Sequence, residues 1–277
     1  MVIGISGRLG SGKDTVGKLI QYMTAEDVGA GCLGRIRGGL SIDGHHNSSF
    51  ENKKFAGKLK LIGSILSGAP VEMFEDQDFK KLPMTENWNV WQVSDSSSRI
   101  EPFRFTSEEA AKKFLDMQLV SLPYLDLKIA RVEMTYREFL QKLGTEGMRD
   151  GLHTNVWINA LFADYKRKLE LVKSDSPKYD LKVEESGEYP NWIITDMRFP
   201  NEMESVKDKG GITIRVIRPV HALSQENNAT QLHPSETALD NAEFDYVIEN
   251  DGSFDDLMLK VEDILKKEQI PYKRWSI

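Results

Sequence analysis

The segment VIGISGRLGSGKDT, residues 2–15, decides the fold of this 277-residue chain. Its first five residues are mostly apolar and predict a buried strand, and the glycines that follow have the spacing Gly7-x-x-x-x-Gly12-Lys13. Because glycine tolerates left-handed backbone angles, such a loop turns successive N–H groups inward around an anion. The segment therefore predicts a phosphate-binding loop.

The residues after this loop predict a helix. Val16, Leu19, Ile20 and Met23 recur at helical spacing. A helix that begins here directs the positive end of its dipole at the same anion, and Lys13 extends to the outer phosphates. The residues expected to bind phosphate are Gly7, Arg8, Gly10, Ser11, Gly12, Lys13, Asp14 and Thr15.

The residue after the loop lysine departs from the usual pattern. Asp14 stands where serine or threonine is common, and the hydroxyl comes one position later, at Thr15. Hydroxyl and carboxylate oxygens both suit Mg²⁺, so these two residues are the candidate metal ligands. The alternative role of Asp14 is to cap the helix.

Composition narrows the class of partner. The formal charge is −7, with 36 Lys and Arg against 43 Asp and Glu, which argues against a polymeric nucleic acid and favours a small-molecule substrate. The single cysteine, Cys32, excludes an intramolecular disulfide. No leader or long apolar span is evident, so we expect a cytoplasmic protein that does not bind membranes. A homodimer is left open.

The order of strand-like and helical runs predicts an α/β fold. They alternate at both ends of the chain, which is typical of a parallel sheet covered by helices on both faces, the three-layer architecture of P-loop proteins. We expect a single P-loop domain over 1–277. Residues 73–131 are less regular and predict an inserted substrate-binding lobe, and the polar segment 219–241 predicts a lid.

Capping patterns mark other helices. A hydroxyl residue with an acidic residue three positions later is an N-terminal signature. Three pairs with this spacing come directly before runs with helical apolar spacing: Thr106 with Glu109, Thr135 with Glu138, and Ser253 with Asp256. A longer helix is expected over residues 155–171, and one that begins at Pro200 should end before Gly210.

Polar residues follow three of the predicted strands. Asp196 comes after one apolar run, Arg218 after the next, and Asn250 and Gly252 after the last. Ligands of an open parallel sheet bind at the carboxyl ends of its strands. We therefore expect these residues at the same edge as the phosphate loop.

Each of these residues has two interpretations. Asp196 would orient a phosphate or hold a metal through water, with Arg198 neutralising phosphate charge; the alternative is a helix cap paired with that arginine. Arg215 and Arg218 would clamp a phosphoryl group or lie on a solvated edge. His233 and Glu236 belong to the predicted lid, where Ser235 is a plausible helix cap.

Beyond these motifs, the chain resembles the bacteriophage deoxynucleoside monophosphate kinases, a family of P-loop kinases. The similarity runs from one end of the sequence to the other, although residues 87–131 carry no matching block. The blocks are GRLGSGKDT at Gly7, FAGKLK at Phe55, YREFLQKLGTEGMRDGL at Tyr136, TDMRFPNEME at Thr195, RVIRP at Arg215, HPSE at His233 and YVIENDGS at Tyr246.

The resemblance implies transfer of the γ-phosphoryl group of ATP to a deoxynucleoside 5′-monophosphate, with Mg²⁺ as cofactor. It implies that the loop holds the donor triphosphate and that the Asn250 loop lies near the adenine. Together with the positions of residues after the predicted strands, it makes Lys13, Asp196 and Arg198 the catalytic candidates. Its substrate-binding candidates are Lys60, Arg137, Arg149 and Trp157. A solvated helix face remains the alternative for each basic residue, and core packing for the tryptophan.

Two rival functions stay open at this level. One is a P-loop kinase of another small acceptor, such as dephospho-coenzyme A or a sugar acid. The other is a non-catalytic regulator that binds a nucleotide and signals through the segment 73–131. Both follow from the general rule that one fold hosts many functions.

Overall fold

The computed structural model describes residues 1–98, 100–121, 124–173, 181–219 and 237–274. The chain divides into two compact units, Met1–Lys58 with Asn155–Ile277, and Leu59–Thr154.

The strands and helices are distributed over both units. The strands are β1 (Val2–Ser6), β2 (Ala25–Val28), β3 (His46–Ser48), β4 (Phe50–Lys53), β5 (Val90–Asp95), β6 (Phe103–Phe105), β7 (Leu127–Val132), β8 (Leu169–Lys173), β9 (Leu181–Glu185), β10 (Asn191–Ile194), β11 (Ile212–Ile217) and β12 (Tyr246–Glu249). The α-helices are α1 (Lys13–Met23), α2 (Cys32–Arg37), α3 (Gly57–Ser67), α4 (Glu108–Ser121), α5 (Tyr136–Gln141), α6 (Val156–Phe162), α7 (Pro200–Lys207) and α8 (Phe254–Lys267). A π-helix, Lys142–Asp150, continues α5.

The first unit is built on a parallel five-stranded sheet with the order β12-β11-β1-β10-β4. The central strand β1 is fully buried because both of its faces are covered. Ile3 and Ile5 pack in one apolar cluster with residues of α1 and α8, whereas Val2 packs in a second cluster with residues of α6 and α7. This confirms the predicted α/β fold, a parallel sheet with helices on both faces.

The second unit has a sheet of its own. Strand β5 is the centre of a three-stranded antiparallel sheet, with β6 on one side and β7 on the other. Val93 and Leu127 of this sheet form an apolar cluster with Ala111 of α4. The lobe predicted at 73–131 falls inside this unit and stays a prediction.

The helix predicted over 155–171 is wrong at its C-terminal end. Helix α6 stops at Phe162, and β8 begins at Leu169 and pairs with β9. Leu169 and Leu171 are two residues apart, which is the period of a strand rather than of a helix.

Two of the three predicted caps are confirmed. The hydroxyls of Thr135 and Ser253 accept the backbone N–H groups of Glu138 and Asp256, at 3.2 and 3.1 Å. The third is shifted by one residue, because Ser107 rather than Thr106 provides the hydroxyl at the start of α4.

No helix in the described ranges is both long and apolar enough to cross a membrane. The predicted lid, 219–241, lies mostly outside the described residues, and so do His233 and Glu236.

Candidate nucleotide-binding site

The phosphate loop connects β1 to α1 with the backbone shape that its glycines permit. Gly10 and Gly12 have φ angles of 77° and 96°, in the left-handed region. The N–H of Ser11 donates to the carbonyl of Arg8 at 3.1 Å, and the carbonyl of Gly12 accepts the first helical hydrogen bond, from Val16, at 2.9 Å. The loop therefore turns tightly and leads directly into the N-terminus of α1, where N–H groups are free to meet an anion.

Two of the loop glycines also lack space for a side chain. A Cβ at Gly7 would lie 2.6 Å from the carbonyl oxygen of Val216 in the neighbouring strand β11. A Cβ at Gly12 would collide with the side-chain nitrogen of Asn250. The spacing Gly7-x-x-x-x-Gly12 thus satisfies packing as well as backbone conformation.

Asn250 braces the loop from the end of β12. Its side-chain amide donates to the carbonyl of Ser11 at 2.9 Å, and its backbone N–H donates to the carbonyl of Ile217 at 2.7 Å. The amide nitrogen is therefore committed to the loop backbone. Gly252, two residues later, precedes the cap of α8, where Ser253 and Asp256 exchange hydrogen bonds.

The side chains at the start of α1 differ in exposure. Lys13 is buried, with 9% of its surface exposed, whereas Asp14 is exposed and Thr15 is half-buried. The hydroxyl of Ser11 is buried and makes no hydrogen bond within the described part of the chain. A buried lysine and an unsatisfied buried hydroxyl in one loop are expected where a charged ligand completes the site.

Asp196 lies one residue beyond Thr195, at the carboxyl end of β10. Its two oxygens accept the N–H groups of Phe55 and Ala56, at 2.8 and 3.0 Å, directly before α3. The alternative of Asp196 as the cap of α7 is wrong, because Glu202 accepts the N–H groups of Arg198 and Phe199 there, at 2.7 and 3.1 Å. Arg198, which lies between Asp196 and Glu202 in the sequence, is half-buried.

A cleft of about 420 Å³ opens beside the loop, at the C-terminal half of β11 and the start of β12. Arg8, Ser11 and Arg218 line it together with apolar side chains, including Leu239 and Phe244. Arg218 is exposed at its rim. The phosphate loop, Asp196, Arg218 and Asn250 all belong to the first unit, at the carboxyl edge of its sheet.

Two of the candidate substrate residues of the second unit, Lys60 and Arg137, are held by polar neighbours. Lys60 pairs with Glu75 at 2.6 Å and has 13% of its side chain exposed. Arg137 donates to the side-chain oxygen of Gln77 at 3.0 Å. Arg149 lies in the last turn of the π-helix, and its Nε atom is buried.

The remaining candidate, Trp157, belongs to the first unit. It lies in α6 with 6% of its surface exposed. This burial fits the core interpretation better than that of a solvent-facing platform.

Sequence reasoning missed two polar residues of the first unit. Glu202 is the third residue of a helix that begins with Pro200, and this capping position is a signal that could have revealed it. Asp240 bonds to Arg8 and Arg215, and no local pattern marks it. The described residues contain no group of three or more His, Cys, Asp or Glu side chains able to bind a metal by themselves.

Comparison with known proteins gives the family. A sequence model described as "Deoxynucleotide monophosphate kinase" matches residues 88–261. The deoxynucleotide monophosphate kinase of Enterobacteria phage T4 is 29% identical over 134 residues, 48% of this chain and 46% of that protein. That of Escherichia phage RB69 is 28% identical over 165 residues, 58% of this chain and 57% of that protein.

The chain spans about half the length of these two relatives. A longer match is the deoxynucleoside-5′-monophosphate kinase of Escherichia phage T5, 23% identical over 252 residues, 86% of this chain and 85% of that protein. The family model begins after the phosphate loop, so its match is independent of the loop pattern. Because it covers more than half of the 277 residues, this chain belongs to the deoxynucleotide monophosphate kinase family.

Proposed function

We propose that the protein transfers the γ-phosphoryl group of ATP to a deoxynucleoside 5′-monophosphate, giving ADP and the deoxynucleoside diphosphate. The observation that carries the proposal is the geometry of the loop over residues 7–15, with its two left-handed glycines and buried lysine, in a chain of this family. The relatives' names specify the acceptor class for those proteins, and we extend it to this one.

The donor triphosphate would be bound mainly by the backbone. N–H groups of the loop and of the first turn of α1 would surround the triphosphate, and the helix dipole would add to their attraction. Lys13 would neutralise charge that develops between the β- and γ-phosphates. Asn250 supports this arrangement indirectly, because it holds the carbonyl of Ser11 in place.

The acceptor needs little chemical activation. A phosphate monoester has a second pKa near 6, so at neutral pH the acceptor is mostly a dianion and requires no general base. Its binding requires cations, and we assign this role to Lys60, Arg137 and Arg149. Catalysis would then consist of positioning and charge neutralisation, to which Arg198 contributes.

Magnesium fits the donor set at the start of α1. The oxygens of Thr15 and Asp14 are hard ligands of the kind Mg²⁺ takes, and this ion commonly binds through one or two protein oxygens together with substrate phosphates. Bound there, it would supply charge neutralisation of the phosphates. Asp196 would support the same edge of the sheet through its hold on the N–H groups of Phe55 and Ala56.

The test is an acceptor panel with Mg-ATP, followed as ADP release. We expect ADP to form only when a deoxynucleoside monophosphate is added. Absence of turnover with every deoxy- and ribonucleoside monophosphate would contradict the proposal. Turnover with dephospho-coenzyme A or a sugar acid instead would support a kinase of another small acceptor. ATP binding without any acceptor-dependent turnover would support a non-catalytic regulator.

A further inference from the structure

One carboxylate beside the phosphate loop holds two arginines. Asp240 accepts a hydrogen bond from Arg8 at its Oδ2 atom, at 2.7 Å, and one from Arg215 at its Oδ1 atom, at 2.6 Å. Arg8 is the second residue of the loop, and Arg215 lies in the adjacent strand β11, where it is paired with Ser6 of β1. A single side chain therefore ties the loop to the neighbouring strand, with one oxygen for each guanidinium.

The three side chains are increasingly exposed from the sheet outward. The exposed fractions are 13% for Arg215, 30% for Asp240 and 51% for Arg8. Arg215 also donates to the hydroxyl of Ser6 at 3.0 Å, and its guanidinium lies 5.7 Å from the ring centre of Phe244. The inner arginine is thus anchored on several sides and fixes Asp240, whereas the outer arginine faces the solvent.

Charge explains why the carboxylate is needed at this position. Two guanidinium groups that share one partner repel each other, and the carboxylate between them offsets that repulsion. Without it, the exposed side chain of Arg8 would turn toward solvent, because that side chain makes no other hydrogen bond or ion pair among the described residues. The bond to Asp240 uses only the Nη2 atom of Arg8, and the planar guanidinium carries further donors in a rigid fork.

We propose that Asp240 is a positioning residue of the donor-nucleotide site, which orients Arg8 so that its remaining donors meet the phosphates of a nucleoside triphosphate in the loop. Arg8, Ser11, Arg215 and Asp240 line the same cleft beside the loop. The identity of the ligand rests on the proposed function. In this assignment Arg215 is a scaffold for Asp240 rather than a phosphoryl clamp.

The test is a double-mutant cycle on ATP affinity. The dissociation constant of ATP is measured by calorimetry without any acceptor, for the wild type, Asp240→Asn, Arg8→Ala and the double variant. Asp240→Asn keeps the shape and removes the charge, and we expect it to weaken ATP binding about fivefold. The double variant should bind ATP no more weakly than Arg8→Ala alone, because Asp240 acts through Arg8.

Kinetics and a matched control complete the design. In Asp240→Asn, the KM for ATP should rise with the dissociation constant, while kcat at saturating ATP stays within about twofold of wild type. Asp255→Asn removes a comparable exposed ion pair, that of Arg37, and should leave ATP binding unchanged. Thermal melting of each variant checks that it is folded.

Three results would overturn the proposal: unchanged ATP affinity in Asp240→Asn, tighter binding in that variant, or losses that multiply in the double variant. If Asp240→Asn does not fold, Arg8→Lys decides. Lysine keeps the positive charge but lacks the fork of N–H donors that a guanidinium carries, so ATP binding should weaken if Asp240 orients that guanidinium. Unchanged ATP binding would refute the proposed role of Asp240. Because no acceptor is present, a failed acceptor panel leaves this test intact.

Discussion

The phosphate loop of the first unit and the basic residues of the second unit are two kinds of proposed binding site. The loop would bind through backbone N–H groups whose directions follow from glycine dihedrals. Lys60 and Arg137 are side chains on helices, and each is held by a neighbour in its own unit, Glu75 or Gln77. A site formed by the backbone can be predicted from the sequence, because the spacing of its glycines is local. The function of a paired side chain depends on partners that lie elsewhere in the chain, and the spacing of residues does not predict them.

The largest expected effect tests the loop itself. Lys13→Ala should lower kcat/KM for acceptor-dependent ADP formation by about 10³-fold, because the developing phosphate charge loses the lysine proposed to neutralise it. The matched control is Lys18→Ala on the same helix, since that lysine donates to the carbonyls of Gly39 and Leu40 instead. Turnover of Lys13→Ala close to that of the control would remove the loop from the mechanism.

The second effect separates backbone strain from the close packing at the loop. Gly12→Ala forces a Cβ onto a residue with a φ of 96° and against Asn250, and we expect roughly 10²-fold loss of kcat/KM. Gly39→Ala has a comparable φ of 71°, but its Cβ would meet nothing within 4 Å. Gly39→Ala should therefore lose about 1 kcal/mol of stability and no activity. Equal kinetic losses in both variants would mean that strain alone matters.

The sequence predicted the features that local chemistry sets. The loop, the parallel sheet and the caps at Thr135 and Ser253 all follow from residues close together in the chain. The end of α6 at Phe162 was missed for a local reason. The apolar residues of 155–162 have helical spacing, and the prediction continued that helix through Leu169 and Leu171 although their spacing of two residues fits a strand. Asp240 was missed for a different reason, because its partners, Arg8 and Arg215, are brought to it only by the order of the strands.

The third effect tests the side-chain site of the second unit. Lys60→Gln should raise the KM for the acceptor about tenfold and leave the KM for ATP unchanged, because a charged hydrogen bond to the monophosphate is lost. Lys81→Gln is the control, since that lysine also pairs with a carboxylate, Asp78, but is 67% exposed. Equal KM values for the two variants would leave Lys60 with a structural role only, as a partner of Glu75.

The smallest effect compares one cap in each unit. Ser253→Ala and Thr135→Ala each remove a hydroxyl that accepts a backbone N–H, so each should lower Tm by about 2–4 °C near neutral pH.

The Ser253 cap should also depend on acid. Hydrogen bonds from the side chain and the backbone of Ser253 hold the pKa of Asp256 below its usual value near 4. The stabilisation is therefore complete above that usual value and is lost as the pH falls through the lowered pKa of the folded state. The difference in Tm between wild type and Ser253→Ala should shrink as the pH is lowered below 4, as thermal melts at a series of pH values would show. If the difference in Tm stays constant down to pH 2, the carboxylate of Asp256 contributes nothing to the cap at the start of α8.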